Sequence, residues 1–179
     1  DATFGLGGWW SVEVGGTPIR GCRACEACWK KRDRKCVFVD DGFNEIFARM
    51  AAADAILIGS PTYFAGASAE TKALIDRAGF VSMANGGLLA GKIGAAVVAV
   101  RRRGAIHVFD TINHLFFISQ MIVPGSTYWN MGIGRELGQV ANDAEGLRNM
   151  RHLGRAVDWL ARAIRQSAAP YPALGRGEA

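Results

Sequence analysis

The apolar and polar positions of this chain first show a clear period after the acidic pair Asp40-Asp41. Apolar residues then recur at helical spacing, which predicts a helix capped by that pair and ending near Asp54. The apolar positions of this helix are Phe43, Ile46, Phe47 and Met50. An unbroken apolar run follows at 55–59 and ends at Ser60-Pro61. Such a run is typical of a strand covered on both faces of a parallel sheet.

Helix and strand patterns continue to alternate toward the carboxyl end. The last helix is predicted to begin at Asn142, with Glu145 three positions later as a capping partner. Its apolar stripe is formed by Leu147, Met150, Leu153, Val157, Leu160 and Ile164. The elements predicted before it are a helix at 69–77, a glycine-rich link at 85–87, a strand at 93–100, a helix with Val108, Ile112, Leu115 and Phe116 on one face, and a strand at 121–123.

This alternation predicts an α/β fold with a doubly wound parallel sheet. In such sheets, ligands bind beyond the carboxyl ends of the strands. The segments that follow the strands at 55–59 and 93–100 are therefore the places where a site is expected.

Composition and charge limit the possible classes of protein. The chain has 179 residues, of which 50% are hydrophobic, enough for one well-buried domain. We expect this domain to span 1–167, followed by a tail at 168–179 that is flexible or makes subunit contacts. Its longest apolar runs are too short to span a membrane and no signal segment opens it, so we expect a cytoplasmic protein without membrane contact. The net charge of +5 comes from local groups of basic residues, which does not favour nucleic-acid binding.

All four cysteines of the chain lie within fifteen residues, in a predicted loop at 20–37. They are Cys22, Cys25, Cys28 and Cys36, spaced Cys-x2-Cys-x2-Cys-x7-Cys. This spacing favours an iron-sulfur cluster, in which each thiolate binds a separate iron. A single zinc ion suits three such crowded ligands less well, and disulfides or plain thiols are the third interpretation. The basic residues around them are Arg20, Arg23, Lys30, Lys31, Arg32, Arg34 and Lys35, which either stabilise an anionic cluster or form an ordinary solvated loop.

Two segments at the predicted strand ends are candidates for cofactor binding. Ser60, Pro61, Thr62, Tyr63 and Phe64 combine hydroxyls, backbone amides and aromatic rings, which suits a flat heteroaromatic ligand. The second segment consists of Arg101, Arg102, Arg103 and Gly104. Arginines at a strand end can hold phosphate or stabilise a reduced ring, although an exposed basic turn is the simpler interpretation.

Several motifs taken together resemble the iron-sulfur flavoproteins, a group within the flavodoxin-like NAD(P)H-dependent flavin reductases. The resemblance covers roughly residues 17–165, and its motifs are the cysteine run, Asp40-Asp41, 59–64, 72–77 and 123–130. It implies a flavodoxin-like fold, bound FMN, and a four-iron four-sulfur cluster held by the four cysteines. It also implies that 60–64 form the loop against the isoalloxazine ring, that 101–104 form a second wall, and that the protein is a homodimer or homotetramer with flavin at a subunit interface.

The family pattern also includes a first strand, a phosphate-binding loop and a first helix before the cysteine run. Only residues 1–20 precede Gly21, and we predict a strand at 10–14 that matches the family's second strand. The sheet is therefore expected to lack its first strand, and the chain is expected to be a truncated or processed product.

The leading functional hypothesis is a redox flavoprotein that transfers electrons between the cluster and FMN. It links a one-electron donor such as ferredoxin to a two-electron acceptor or NAD(P)H. The alternatives are an NAD(P)H-dependent FMN reductase without a cluster, and a non-catalytic or zinc-binding protein of the same fold.

Overall fold

A computed structural model of the protein describes residues 8–172. Within that range, helices and parallel strands alternate, as the sequence pattern predicts. The elements are α1 (Ala27–Lys31), α2 (Phe43–Ala52), β1 (Ala55–Pro61), α3 (Ala69–Ala84), β2 (Ile93–Val100), α4 (Ala105–Ile118), β3 (Met131–Ile133), a 3₁₀ turn (Gln139–Asn142) and α5 (Ala144–Gln166). None of these described helices is long and apolar enough to cross a membrane.

The strands form one parallel sheet in the order β1-β2-β3. Ala55 pairs with Ile93 at one end of β1, and Pro61 pairs with Ala99 at the other. The short strand β3 pairs with the end of β2, from Val98 opposite Met131 to Val100 opposite Ile133. The carboxyl ends of all three strands therefore lie at the same edge, where ligands bind in folds of this class.

The main core fills one face of the sheet. Ile56 and Ile58 of β1 are buried there, together with Val98 of β2 and side chains from α2, α3 and α4. Gly94 lets one ring reach the strand, because a Cβ at this position would lie 2.6 Å from Cγ of Phe116. Close packing of this kind fixes α4 against β2 and leaves the strand ends in a defined position.

The opposite face is covered in part. Leu153 and Val157 of α5 pack against Ile93 and Ala95 of β2. On β1, by contrast, Leu57 is 50% exposed. Within residues 8–172, β1 is also an edge strand, as expected for a sheet without its first strand.

Two predicted strands need correction. Residues 10–14 form no strand. At 121–123 the chain makes a single parallel bridge, between Ile122 and Ile93, before Pro124. Pro lacks the N–H that a ladder requires and restricts the residue before it, so the chain leaves the sheet there. It returns as β3 seven residues after Pro124.

The predicted helix ends also need correction. α3 extends to Ala84 rather than to residue 77. α5 begins at Ala144, because Asp143 and not Asn142 accepts the capping hydrogen bond, from the Gly146 amide. Of the predicted tail, the structure describes 168–172, in which the ring of Tyr171 lies against Gly91.

Candidate functional site

The cysteine loop packs on α3, and its short helix α1 contacts that helix directly. The thiols are free: Cys22 and Cys25 are exposed, and Cys28 and Cys36 are half-buried. All four line one concavity whose walls also include Phe38, Arg77, Phe80 and Val81. The structure therefore brings together the four residues that the sequence spacing selected.

The backbone of this loop turns sharply between the cysteines. Four residues have a positive φ, between 49° and 62°, a backbone conformation that residues other than glycine seldom adopt. They are Ala24, Glu26, Arg32 and Arg34. Strained residues of this kind persist where the surrounding structure fixes them, and they cluster at functional sites. Here they fold the loop back on itself so that four thiols separated along the chain face one concavity.

Two of the thiols differ in their readiness to ionise. A hydrogen bond from the Ala27 backbone amide, assisted by Arg23, lowers the pKa of the Cys25 thiol. Burial raises the pKa of Cys28, and the nearby Cys36 and Cys22 raise it further. Four ionised thiols in one concavity repel each other, so a positively charged group bound between them would stabilise the thiolate forms.

A buried ion pair holds both ends of the cysteine loop. The guanidinium of Arg77 on α3 donates hydrogen bonds to both carboxylate oxygens of Asp41, and both side chains are 1% exposed. The same guanidinium donates to the carbonyl of Arg20 (3.2 Å) and to the carbonyl of Phe38 (3.4 Å). Its carbon lies 4.0 Å from the ring centroid of Phe43. One side chain therefore links the residues before and after the cysteines to the core.

Asp41 acts mainly through this contact, although its carboxylate also accepts from the amide of Phe43, the first residue of α2, at 3.4 Å, which is part of the predicted capping role. Gly42 is the N-cap of α2, without a side-chain capping bond. Burial opposes ionisation of Asp41, but hydrogen bonds from Arg77 and from the Arg20 amide leave the pKa of this carboxyl below its usual value. The carboxylate is therefore charged at neutral pH and forms the anionic half of the pair.

Amide side chains fix the remainder of the loop. Asn44 accepts a hydrogen bond from the Cys36 amide (2.7 Å) and donates to the carbonyls of Cys36 and Phe38, both at 3.0 Å. Asn85, which follows α3, accepts from the Arg34 amide at 3.0 Å. The loop is therefore held by Asn44 of α2, by Arg77 of α3 and by Asn85 at the end of α3.

The donor set fits an iron-sulfur cluster in number and chemistry. Four thiols surround the concavity, which matches a cluster in which each thiolate binds a different iron. Within residues 8–172, no group of three or more His, Cys, Asp or Glu side chains converges as the ligands of one metal ion do.

The loop after β1 is held by its own backbone and by one buried hydroxyl. Tyr63 and Gly66 exchange backbone hydrogen bonds of 2.9 and 2.8 Å. Phe64 lies at the tip with a positive φ of 46° and a fully exposed side chain. The Ser60 hydroxyl accepts from the Ser68 amide (3.0 Å) and donates to the Pro61 carbonyl (2.9 Å), so both its hydrogen-bonding roles are used within the protein.

Thr62 differs from Ser60 because its hydroxyl has no partner. Within residues 8–172, its Oγ1 is buried and makes no hydrogen bond. An unpartnered buried hydroxyl is unfavourable, and a bound ligand at this loop would supply the missing bond. The Thr62 hydroxyl therefore has a hydrogen-bonding capacity that the described residues do not use.

The second predicted segment lies directly beside this loop. Gly104 has a φ of 89°, and a Cβ there would lie 3.0 Å from Cα of Ala65 and 3.5 Å from Cγ2 of Thr62. Arg101, Arg102 and Arg103 are exposed, and none forms an ion pair within the described residues. The structure therefore joins the two segments into one rim at the carboxyl edge of the sheet.

Helix α3 connects the two candidate sites. It begins after Ser68, whose hydroxyl accepts from the Thr71 amide and caps the helix beside the loop after β1. Arg77, which lines the cysteine concavity, follows eight residues after Ala69. At 1.5 Å per residue, this spacing is about 12 Å along the helix axis.

The chain matches a family model and known proteins in sequence. A family model described as NADPH-dependent FMN reductase matches residues 12–136. An iron-sulfur flavoprotein of Methanocaldococcus jannaschii is 34% identical over 162 residues, which cover 87% of this chain and 81% of that protein.

Solved structures support the fold. A flavodoxin, the WrbA-like protein of Agrobacterium tumefaciens, superimposes with a TM-score of 0.55 at 20% identity, covering 66% of this chain and 73% of its own. RosB, with a bound flavin intermediate, superimposes with a TM-score of 0.61 at 18% identity, covering 73% of this chain and 56% of its own. The fold is therefore flavodoxin-like.

The buried ion pair generates a first prediction. The substitution Asp41→Asn should lower the free energy of unfolding by about 3 kcal/mol or more, because it leaves Arg77 charged and unpaired in the core. It should also make the four thiols react faster with a thiol reagent. Because the folded-state pKa of Asp41 is lowered, its contribution is present above the unfolded pKa of about 3.9 and is lost as the pH falls through the folded value.

The control is Asp40→Asn, which removes the neighbouring carboxylate. Asp40 pairs with Arg20 at the surface, where both side chains are exposed, so a small effect is expected. Urea unfolding between pH 3 and pH 7 measures both variants, with the deficit of Asp41→Asn shrinking below about pH 4. Equal stability and equal thiol reactivity of the two variants would show that the pair does not hold the loop.

Proposed function

The chain belongs to the NADPH-dependent FMN reductase family and, within it, to the iron-sulfur flavoproteins, and from this we propose that it transfers electrons between a four-iron four-sulfur cluster and FMN. Membership supports a redox flavoprotein. The observation that carries the finer proposal is that four free thiols line one concavity that is anchored to the same helix as the rim at the sheet edge.

In this proposal, Cys22, Cys25, Cys28 and Cys36 hold the cluster. When bound, the cluster supplies single electrons and FMN supplies one or two, which is why such a pair connects one-electron and two-electron partners. Arg23 and the Ala27 amide favour the thiolate of Cys25. Phe38, Phe80 and Val81 limit water on the protein side of the concavity, and the charge of Arg77 in its wall is balanced by Asp41.

For FMN, the proposed site is the rim formed by 60–64 and 101–104. The Thr62 hydroxyl offers a hydrogen bond that the protein leaves unused, and the exposed rings of Tyr63 and Phe64 offer surface for a flat ligand. The three exposed arginines, Arg101 to Arg103, provide charge for a phosphate or a reduced ring. Ser60 and Pro61 shape the turn. RosB, whose structure has the same fold, binds a riboflavin-5'-phosphate derivative, which supports FMN as the ligand.

The proposed redox partners are a ferredoxin-like electron donor or NAD(P)H. The family description names NADPH and supports a nicotinamide as the two-electron partner. It equally favours the second candidate function, an NAD(P)H-dependent FMN reductase whose cysteines hold no cluster. Iron content distinguishes the two.

The cluster is tested by iron and acid-labile sulfide analysis of anaerobically purified protein, together with its visible spectrum. We expect about four irons and four sulfides per chain and a broad absorption shoulder. Cys25→Ser should lose most of the iron, because one ligand is missing. The matched control Ala24→Ser places the same side chain one position earlier and should retain it. Wild-type protein with flavin bands and no iron would select the cluster-free reductase.

Flavin binding is tested at Thr62. The substitution Thr62→Val keeps the shape and removes the hydroxyl, so FMN affinity should fall about fivefold, as expected from the loss of one hydrogen bond worth roughly 1 kcal/mol. The free energy of unfolding should not fall, because the hydroxyl is unpartnered in the protein alone. Thr111→Val is the control, since that hydroxyl bonds to the His107 carbonyl on α4. An unchanged affinity for FMN in a fluorescence titration would exclude Thr62 from the site.

We also propose that the protein is a homodimer or homotetramer. The described sheet leaves β1 as an edge strand and Leu57 half exposed, and soluble proteins usually cover such surfaces. Association through this face would protect the strand edge.

Light scattering at micromolar concentration tests the oligomeric state. Leu57→Lys should shift the protein toward monomer, because it places a charge on the uncovered face. Leu137→Lys is the control, since that side chain is fully exposed and lies away from β1, after β3. A stable monomer with full redox activity would contradict the proposal.

A further inference from the structure

The surface around the cysteine concavity is strongly basic. Residues 22–37 contain six Lys or Arg and two Glu or Asp, so this short loop carries most of the net charge of the chain. Lys30, Lys31, Arg34 and Lys35 are exposed, and within residues 8–172 none of their side chains forms an ion pair or hydrogen bond. These four cations are therefore available to another molecule.

Apolar side chains are exposed on the same surface. Val37 and Phe80, which line the cysteine concavity, are 36% and 38% exposed, and Val39 just beyond the loop is 78% exposed. Two of the four thiols, Cys22 and Cys25, are also exposed. Apolar residues next to a redox site and bordered by charges have the anatomy of a protein interface, with an apolar centre and a polar rim.

We propose that this cysteine-side surface, formed by Lys30, Lys31, Arg34, Lys35, Val37, Val39 and Phe80, is the docking site for an acidic electron-carrier protein. The proposal rests on the electron-transfer function described above and adds the surface through which the one-electron partner binds. In the encounter, one electron leaves the reduced carrier and enters this protein, and no covalent bond forms or breaks. The carrier's negative charge complements the free cations.

Charge favours this surface over the basic residues of α5. On α5, Arg162 and Arg165 already pair with Asp158 and Asp54. The other exposed arginines of α5 lie across the sheet from α3, because α5 packs on the opposite face. Electron-carrier complexes are small and transient, and complementary charge mainly raises their association rate. A nucleic acid would use the cations but not the exposed valines and phenylalanine, so a protein partner accounts for more of the surface.

The test measures the second-order rate of reduction of the purified holoprotein by a reduced acidic ferredoxin, across a range of NaCl concentrations. We expect the wild-type rate to fall steeply with salt, since screening weakens steering between exposed charges. The double substitution Lys30→Glu and Lys31→Glu should lower the rate at low salt at least tenfold and remove most of the salt dependence. The control, Arg148→Glu and Arg151→Glu on α5, makes the same change in net charge and should have little effect.

Two further measurements separate the possible outcomes. Reduction by dithionite and iron content should be equal in wild type and variants; if dithionite does not reduce the wild type, the proposed function itself fails. Val39→Ser should lower the rate of reduction by ferredoxin without changing the net charge. This variant keeps the proposal testable if the lysine variant does not fold. Equal slowing by both charge-reversal pairs would overturn the docking site. So would loss of the ferredoxin reaction on adding an equimolar DNA duplex, which would assign the surface to nucleic acid.

Discussion

The buried contact between Arg77 and Asp41 is the constraint on which the cysteine site depends. Removing two charges from water has a penalty of several kcal/mol per ion, so such a pair persists only with good geometry and further hydrogen bonds. The carbonyls of Arg20 and Phe38 and the amide of Arg20 add hydrogen bonds to the pair, while Nε of Arg77 has no partner among the described residues. This network fixes the start of α2, the middle of α3 and both ends of the loop relative to one another.

The loop needs this external support because it has little core of its own. None of the five residues of α1 is buried. Four non-glycine residues of the loop have positive φ, a backbone conformation that is unfavourable for them. A ligand set on such a segment is imprecise unless neighbouring elements hold it. Arg77, Asn44 and Asn85 supply that support from α2 and α3. The site is thus a loop with little core of its own that is held in place by the neighbouring helices.

Local sequence signals account for much of the fold and fail where long-range contacts decide. The strand at 93–100 was predicted with its observed bounds, because a long apolar run can be recognised without knowledge of its neighbours. The three-residue strand β3 has no such pattern and forms because the end of β2 offers a partner. Asp41 was predicted to cap α2 because capping is a local rule, and its carboxylate does accept from the Phe43 amide. Its ion-pair partner, Arg77, lies 36 residues farther along the chain, and a local sequence pattern cannot predict a contact between such distant residues.

The candidate sites follow the same division between local and distant information. The cysteine spacing is local, and the sequence identified all four cysteines that line the concavity. The roles of the residues at 60–64 cannot be predicted from local sequence. Ser60 and Thr62 have similar side chains, yet the Ser60 hydroxyl is hydrogen-bonded within the protein and the Thr62 hydroxyl has no partner among the described residues. Tertiary packing makes that choice. Because a single capped helix, α3, begins beside this rim and carries Arg77 about 12 Å farther on, the spacing between the two sites is fixed by helix geometry and not by either loop.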